Sequence, residues 1–195
     1  MSRRTPRFIA IEGLDGSGKS TLAQHLAESV GALLLQTPDG ALREARVQVE
    51  ATFGAGSQAL TLFYAAAVLA ASERARRVLQ EGRAVVVDRY WSSTLAYAVA
   101  AGREVDLAGI EPLLLPADLT VFLHVDRQVR AARLRARGPL SEHDLMSLDP
   151  YREASLLAAY RAMSQHRVVG HHLWLDATGS RTDQVATAVR QGVRP

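Results

Sequence analysis

The stretch FIAIEGLDGSGKST, residues 8–21, decides the fold of this chain. A short apolar run is followed by a loop with three glycines and then by a helix-forming segment. The part GLDGSGKS, residues 13–20, matches the pattern G-x-x-x-x-G-K-[ST] at every fixed position. A glycine-rich loop between a strand and a helix turns successive backbone N–H groups towards a phosphate, and the start of the helix adds its positive end. The stretch therefore predicts a phosphate-binding loop.

Lys19 in this loop is the only lysine among the 23 lysine and arginine residues of the chain. A compact ammonium group fits a narrow loop, whereas the planar guanidinium of arginine does not. We expect Lys19 to contact the β- and γ-phosphates of ATP and the Ser20 hydroxyl to bind Mg²⁺. A turn with a solvated lysine is the alternative, which the strand–loop–helix context disfavours. The predicted ATP-binding residues are Gly13, Asp15, Gly16, Ser17, Gly18, Lys19, Ser20 and Thr21.

The composition limits the classes of protein that this chain can belong to. Its 195 residues, 48% of them hydrophobic, suffice for one buried core. The absence of cysteine excludes disulfides and thiolate chemistry and fits a cytoplasmic protein. The longest nearly apolar run, residues 60–71, is shorter than a membrane span. A net charge of +3 without a dense basic stripe argues against nucleic-acid binding.

Apolar runs alternate with segments of helical period along the whole chain, which predicts a five-stranded parallel sheet flanked by helices in one α/β domain, residues 1–195. Asp106, Asp126 and Asp149 stand where helix caps are expected. The predicted strands are 8–12, 32–36, 84–88, 119–125 and 172–177. The predicted helices are 19–30, 41–53, 57–81, 92–102, 106–115, 126–137, 149–167 and 181–191.

A second candidate for phosphate and metal binding lies in VVVDRY, residues 85–90, where Asp88 and Arg89 follow three valines. Asp88 at the end of a buried strand can hold the hydration shell of Mg²⁺, and Arg89 beside it suits a second phosphate. A local ion pair is the alternative. A guanine-nucleotide switch would need an N-K-x-D motif, which a chain without asparagine cannot contain, and a motor ATPase would carry an Asp-Glu pair in place of Asp88-Arg89.

The stretch RARGPLSEHD, residues 135–144, interrupts the helical pattern at Gly138 and Pro139 and predicts a mobile lid over about 135–148. Arg130, Arg133 and Arg137 precede Gly138 at a spacing that places them on one helix face. A solvated basic face is the alternative to a catalytic role for these arginines.

Three blocks make the chain resemble the thymidylate kinase family: IEGLDGSGKST, DRYWSSTLAYA (88–98) and RLRARG (133–138). The resemblance extends from Phe8 to about Arg190. The segments LLLQTPDG and LFYAAAVLAASE are similar to the mitochondrial-type UMP-CMP kinase branch. The resemblance implies a P-loop kinase fold, transfer from ATP to a pyrimidine nucleoside monophosphate, and a homodimer.

The resemblance also implies roles for single residues. Asp15 would approach the 3′-hydroxyl of the acceptor sugar, and Arg89 would hold the acceptor phosphate. Tyr97 would lie under the sugar and disfavour a 2′-hydroxyl. The lid arginines Arg133 and Arg137 would close on the transferring phosphoryl group. Ser93 and Thr94 match family positions that line the base pocket.

Phe63 and Tyr64 lie in a predicted helix that is apolar on almost every face. We expect these two aromatic residues to face the base, with core packing and a dimer interface as the alternative roles of this helix.

Two segments depart from the family pattern. The segment after the second strand reads Gln36-Thr37-Pro38-Asp39 where the family has Arg-Glu-Pro, and alanine and valine follow Tyr64 where the family has a base-reading aspartate–arginine pair. We therefore expect a kinase of deoxypyrimidine monophosphates that accepts dTMP, dUMP and dCMP. The alternatives are a kinase of a modified nucleotide or nucleoside and a catalytically silent nucleotide-binding module. Loss of Lys19, Asp88 or Arg89 would have favoured the silent module.

Overall fold

The computed structural model describes residues 7–103, 105–140 and 142–192. Their strands form one parallel sheet in the order β2-β3-β1-β4-β5, which confirms the predicted architecture. The strands are β1 (Phe8–Gly13), β2 (Leu33–Gln36), β3 (Val85–Asp88), β4 (Leu119–His124) and β5 (His171–Asp176).

Eight α-helices connect and cover these strands within the described part of the chain. They are α1 (Lys19–Val30), α2 (Ala41–Phe53), α3 (Gln58–Gln80), α4 (Trp91–Ala100), α5 (Arg127–Arg135), α6 (Glu142–Ser147), α7 (Pro150–Met163) and α8 (Thr182–Gly192). Local sequence explains several of their ends. The Ser57 hydroxyl accepts from the Leu60 N–H at the start of α3, and the Asp149 carboxylate accepts from the Arg152 N–H at the start of α7. Gly31 in the left-handed conformation ends α1.

The central strands are buried on both faces, as their unbroken apolar sequences predict. One face of the sheet, including Val85 and Val87, packs against α3 and α4. The other face, including Ile11 and Val121, packs against α1 and α8. Both layers of helices are needed to cover strands of this kind.

The structure corrects two of the helix predictions and adds a helix within the predicted lid. Residues 106–115 form turns and a short 3₁₀ segment at Glu111–Leu113, because Pro112 interrupts the segment and the Asp106 carboxylate accepts from the Ala108 N–H in a local turn. The helix predicted to run to 167 ends at Met163, before a separate 3₁₀ turn. Part of the predicted lid is helical, since α6 lies within it.

The carboxyl ends of the parallel strands meet along one edge of the sheet. The register pairs Asp88 at the end of β3 with Ile11 on β1 and with Gln36 on β2. Ligands of open α/β sheets bind outside this edge. The described helices include none long and apolar enough to cross a membrane.

Candidate active site

The loop after β1 approaches its neighbours so closely that glycine is required. A Cβ atom on Gly13 would lie 2.4 Å from the Leu123 carbonyl oxygen, and one on Gly16 would lie 2.9 Å from that of Arg130. Both residues have positive φ angles, 144° and 78°. The loop therefore has the tight curl that its sequence predicts.

Lys19 lies at the first position of α1 with its side chain buried. Its Nζ donates to the Leu14 carbonyl oxygen at 2.7 Å and lies 3.8 Å from Asp15 Oδ1. Burial, reinforced by the positive charge of Arg89, lowers the pKa of Lys19 to about 8. The ammonium is thus held inside the loop in an environment that an added negative charge would stabilise.

Asp88 and Ser20 offer oxygen atoms at the predicted cation position. Asp88 is 7% exposed, and its Oδ1 is buried without a hydrogen-bond partner in the described part of the chain. Ser20 is exposed in the first turn of α1. Over the residues described, no three His, Asp or Glu side chains are grouped to enclose a metal. This donor set fits Mg²⁺, which keeps waters and phosphate oxygens in its shell.

Arg89 follows Asp88 in the left-handed backbone region, with φ 66°. Two hydrogen bonds hold this uncommon conformation: its N–H donates to the Ile11 carbonyl at 3.0 Å, and its carbonyl accepts from the Thr37 hydroxyl at 2.7 Å. Non-glycine residues at positive φ cost about 1–3 kcal/mol and are frequent at functional sites. This backbone conformation directs the Arg89 side chain towards Asp15 in the loop after β1.

The Arg89 guanidinium contacts three residues of the candidate site. It forms an ion pair with Asp15, donates to Ser93 Oγ at 3.3 Å and lies 5.4 Å from the centre of the Tyr97 ring. Burial opposes its charge, but Asp15 and the hydroxyl of Tyr97 outweigh that effect and raise the pKa of Arg89 above its usual value. The Tyr97 hydroxyl in turn donates to Asp15 Oδ2 at 3.2 Å.

A cavity of about 440 Å³ opens beside this cluster. Of the predicted acceptor-binding residues, six line its wall: Asp15, Tyr64, Arg89, Ser93, Thr94 and Tyr97. Phe63 lies outside the wall and packs edge-to-face on Tyr64, with ring centres 5.9 Å apart. Neighbouring helical residues point in different directions, which explains why only one of these two aromatics reaches the cavity.

Ser93 has its hydroxyl occupied by neighbours rather than free to contact a base. The hydroxyl donates to Glu12 and lies 2.9 Å from the Tyr160 hydroxyl, while the Glu12 carboxylate also accepts from the Tyr90 and Ser93 N–H groups. Burial raises the pKa of Glu12, which is 0% exposed. Ser93 therefore joins β1, α4 and α7 beneath the cavity, a connection that only the tertiary structure creates.

Two arginines that no motif indicates also line the cavity: Arg46 of α2 and Arg103, just after α4. Arg46 Nη1 pairs with Glu50 at 2.7 Å. These residues are distant in sequence from the phosphate loop and from the DRY segment. The only local signal is Gly102, whose positive φ of 64° turns the chain immediately before Arg103.

Arg130 and Arg133 lie on α5, whereas Arg137 follows its last residue by two positions. The three arginines have different environments, which corrects their grouping on one basic face. Arg130 is 0% exposed and paired with Glu153 of α7 at 2.9 Å. Arg133 Nη1 donates to the carbonyl oxygens of Gly16 and Ser17, at 3.4 and 3.2 Å. Arg137 is exposed and lines a second cavity, together with Arg133 and the loop residues Ser17, Gly18 and Thr21.

Comparisons with known proteins agree with this geometry. The thymidylate kinase family model matches residues 11–178. A thymidylate kinase of Cereibacter sphaeroides is 34% identical, with 93% of this chain and 91% of the relative covered. A probable thymidylate kinase of Archaeoglobus fulgidus is 33% identical over 69% of this chain and 72% of the relative.

A solved thymidylate kinase structure from Candida albicans, described as revealing the origin of broad substrate specificity, is similar over nearly the whole chain. Its TM-score is 0.74 at 25% identity, with 97% of this chain and 92% of that chain covered.

Proposed function

The chain belongs to the thymidylate kinase family, and we propose that it transfers the γ-phosphate of ATP to a deoxypyrimidine nucleoside monophosphate, with dTMP as the principal acceptor. Members of this family are phosphotransferases that use ATP as the phosphate donor. The proposal concerns the acceptor, the residues that bind it and the metal requirement.

The ion pair between Asp15 and Arg89 is the observation that carries the proposal. It joins the loop that binds the donor phosphates to a guanidinium suited to an acceptor phosphate. A phosphoryl group passes directly between two nucleotides only if both phosphates meet, because the reaction depends on positioning and charge neutralisation. The cavity begins at this ion pair and has room for a nucleotide.

Each cation has a distinct task in this reaction. Lys19 and the loop amides hold the β- and γ-phosphates, while Arg89 holds the acceptor phosphate. Arg46 on the cavity wall supplies the second acceptor-phosphate arginine that is missing after β2. Arg133 and Arg137 neutralise charge that develops on the transferring group.

Asp15 and Tyr97 bind the sugar, since the Tyr97 hydroxyl holds the Asp15 carboxylate at 3.2 Å on the cavity wall. The carboxylate accepts from the 3′-hydroxyl, and the aromatic ring occupies the space that a 2′-hydroxyl would need. Deoxyribose acceptors are therefore preferred to ribose acceptors.

Ser20 and Asp88, whose Oδ1 has no hydrogen-bond partner among the described residues, would hold Mg²⁺ and its waters. Mg²⁺ supplies charge neutralisation at the donor phosphates. Lys19 would bind the same phosphates, and Asp88 at the end of β3 would hold a water of the Mg²⁺ shell.

We further propose that residues 1–195 form a single kinase domain that acts in the cytoplasm as a homodimer. The large apolar side chains exposed on α2 and α3 support the dimer: Val47, Phe53 and Leu62 are 56%, 60% and 49% exposed.

Release of ADP from Mg-ATP, measured with a panel of nucleosides, nucleoside monophosphates and oligonucleotides, tests the proposal. We expect dTMP, dUMP and dCMP to exceed their ribose forms and all purines in kcat/KM, and Lys19→Ala to abolish transfer without unfolding the protein. AMP or GMP as the best acceptor would refute the assignment, and a nucleoside as the best acceptor would favour the nucleoside kinase.

A further inference from the structure

Helix α4 separates two arginines that line the same cavity. Arg89 precedes the first residue of α4 by two positions, and Arg103 follows its last residue, Ala100, by three. The 10 residues of α4 span about 15 Å at the rise of an α-helix. The cavity therefore has one cation at the phosphate end and another at the opposite end, with Thr94 and Tyr97 between them.

Hydrogen bonds hold the Arg103 side chain in place at that far end. Nη1 donates to Thr61 Oγ1 at 2.9 Å, and Nη2 donates to the Ala55 carbonyl oxygen at 2.7 Å. The backbone N–H donates to the Ala98 carbonyl at 3.0 Å after the turn at Gly102. The guanidinium is thus fixed between the start of α3 and the end of α4, which limits the entropy lost when it binds a ligand.

Arg103 retains donors that its protein neighbours do not use. A guanidinium has five N–H groups, and the two bonds above occupy only two of them. Its Nε is buried and has no acceptor among the residues that the structure describes. Burial and the positive charge of Arg152 lower the pKa of Arg103, and no ion pair joins it to a carboxylate of residues 7–103, 105–140 or 142–192. A carbonyl oxygen of a ligand in the cavity could accept from the Nη N–H groups that the protein leaves unused.

The covalent structure of a pyrimidine nucleotide determines which of its atoms reaches Arg103. With the 5′-phosphate on Arg89, the sugar lies along α4 and the base points away from the phosphate. The sugar is attached to N1 of the ring, and C4 lies directly across the ring from N1. The substituent on C4 is therefore the base atom farthest from Arg89.

Within the proposed function, on which this step rests, we propose that Arg103 donates a hydrogen bond to the exocyclic O4 carbonyl of the acceptor base. Thymine and uracil carry that carbonyl, whereas cytosine carries an amino group there. The arginine side chain has only hydrogen-bond donors, so the amino group of cytosine would place its own donors against the N–H groups of Arg103. Arg103 thus replaces, from the end of α4, the base-reading arginine that α3 lacks, and it favours 4-oxo pyrimidines over cytosine as the acceptor base.

The test compares dUMP with dCMP and with the deoxynucleotide whose base carries hydrogen in place of O4. The wild-type protein should prefer dUMP to the other two by about 10- to 100-fold in kcat/KM, as expected for one charged hydrogen bond. In Arg103→Met this preference should fall to about threefold or less, mainly through loss of activity on dUMP. Arg83→Met is the matched control, because Arg83 is exposed and lies outside the cavity wall; it should leave the preference unchanged.

The outcomes separate this inference from the proposed function. If the wild-type protein phosphorylates neither dTMP nor any of the three nucleotides, the proposed function fails. The inference is overturned if the wild-type protein phosphorylates all three nucleotides equally. It is also overturned if Arg103→Met lowers kcat/KM for all three in parallel, since Arg103 would then have only a structural role. Should Arg103→Met not fold, the wild-type preference for dUMP over the O4-deleted analogue and its reduction in Arg103→Lys decide the matter.

Discussion

Arg130 donates from Nη1 to the backbone carbonyl oxygen of Asp15, 3.1 Å away, although 115 residues separate the two in sequence. The same Nη1 donates to the Ser147 carbonyl at 3.1 Å, at the end of α6. Arg130 therefore connects the phosphate loop to the segment predicted as the lid, and its pairing with Glu153 extends the connection to α7.

Arg130→Met should lower the free energy of unfolding by about 3–5 kcal/mol, because it leaves the largely buried Glu153 without its cation. Urea unfolding followed by circular dichroism measures the effect. Arg135→Met, an exposed arginine of the same helix, should change stability by less than about 0.5 kcal/mol. Similar losses for both variants would contradict a specific role for the buried pair.

The affinity for ATP should fall as the pH rises through the pKa of Lys19. Its folded-state pKa of about 8 is below the usual 10.5, so the ammonium is lost in the range where an exposed lysine stays charged. If only the ammonium form binds, the Kd of ATP without metal should rise about tenfold between pH 7 and pH 9. Calorimetric titration measures it. In Lys19→Met the affinity for ATP should be weak at every pH, so the Kd should not show this rise. An equal rise of the Kd in both proteins would assign the effect to another group.

Arg89→Ala should impair use of the acceptor far more than binding of ATP. The loss of a charged hydrogen bond costs about 1.5–3 kcal/mol, which predicts a 10- to 100-fold lower kcat/KM for dTMP. Steady-state kinetics gives this value, and the Kd of ATP should change by less than about threefold. Arg83→Ala, an exposed arginine before β3, is the control. Unchanged acceptor kinetics in Arg89→Ala would show that the DRY segment does not bind the acceptor.

Arg133 and Arg137 should differ in their effects when each is changed to alanine. Arg133 bonds two carbonyls of the phosphate loop, so Arg133→Ala should weaken ATP binding as well as lower kcat. The exposed Arg137 acts on charge that develops during transfer, so Arg137→Ala should lower kcat with little change in the Kd of ATP. Equal losses of affinity and turnover in Arg137→Ala would indicate ground-state binding instead.

Asp88→Asn should raise the Mg²⁺ concentration needed for half-maximal activity, because it removes the charge of a buried carboxylate whose Oδ1 has no partner among the described residues. A Mg²⁺ titration at saturating ATP and dTMP measures the shift, and ATP binding without metal should be retained. Asp39→Asn, which changes an exposed carboxylate paired with Arg74, serves as control. The same Mg²⁺ dependence in Asp88→Asn and wild type would remove Asp88 from the metal site.

The sequence alone determined the sheet and the loop that binds phosphate. Each of the five strands contains a short apolar run, and the runs of the central strands β1, β3 and β4 are recognisable without any partner because both of their faces are buried. The spacing of GLDGSGKS is equally local, since one loop supplies all of its backbone donors. The DRY segment could be predicted because strand ends of a parallel sheet converge on one edge.

Only the tertiary structure decided which side chains meet across the cavity. Arg46 and Arg103 belong to no motif, and they reach the same cavity only because α2 and α4 pack beside α3. Ser93 looked like a residue that contacts the base, but the buried Glu12 and Tyr160 occupy its hydroxyl. Arg130 shared a helix face with Arg133 and Arg137, yet packing against α7 buried it. A local pattern specifies backbone conformation, whereas the partner of a long polar side chain depends on segments distant in sequence, which come together only when the helices pack.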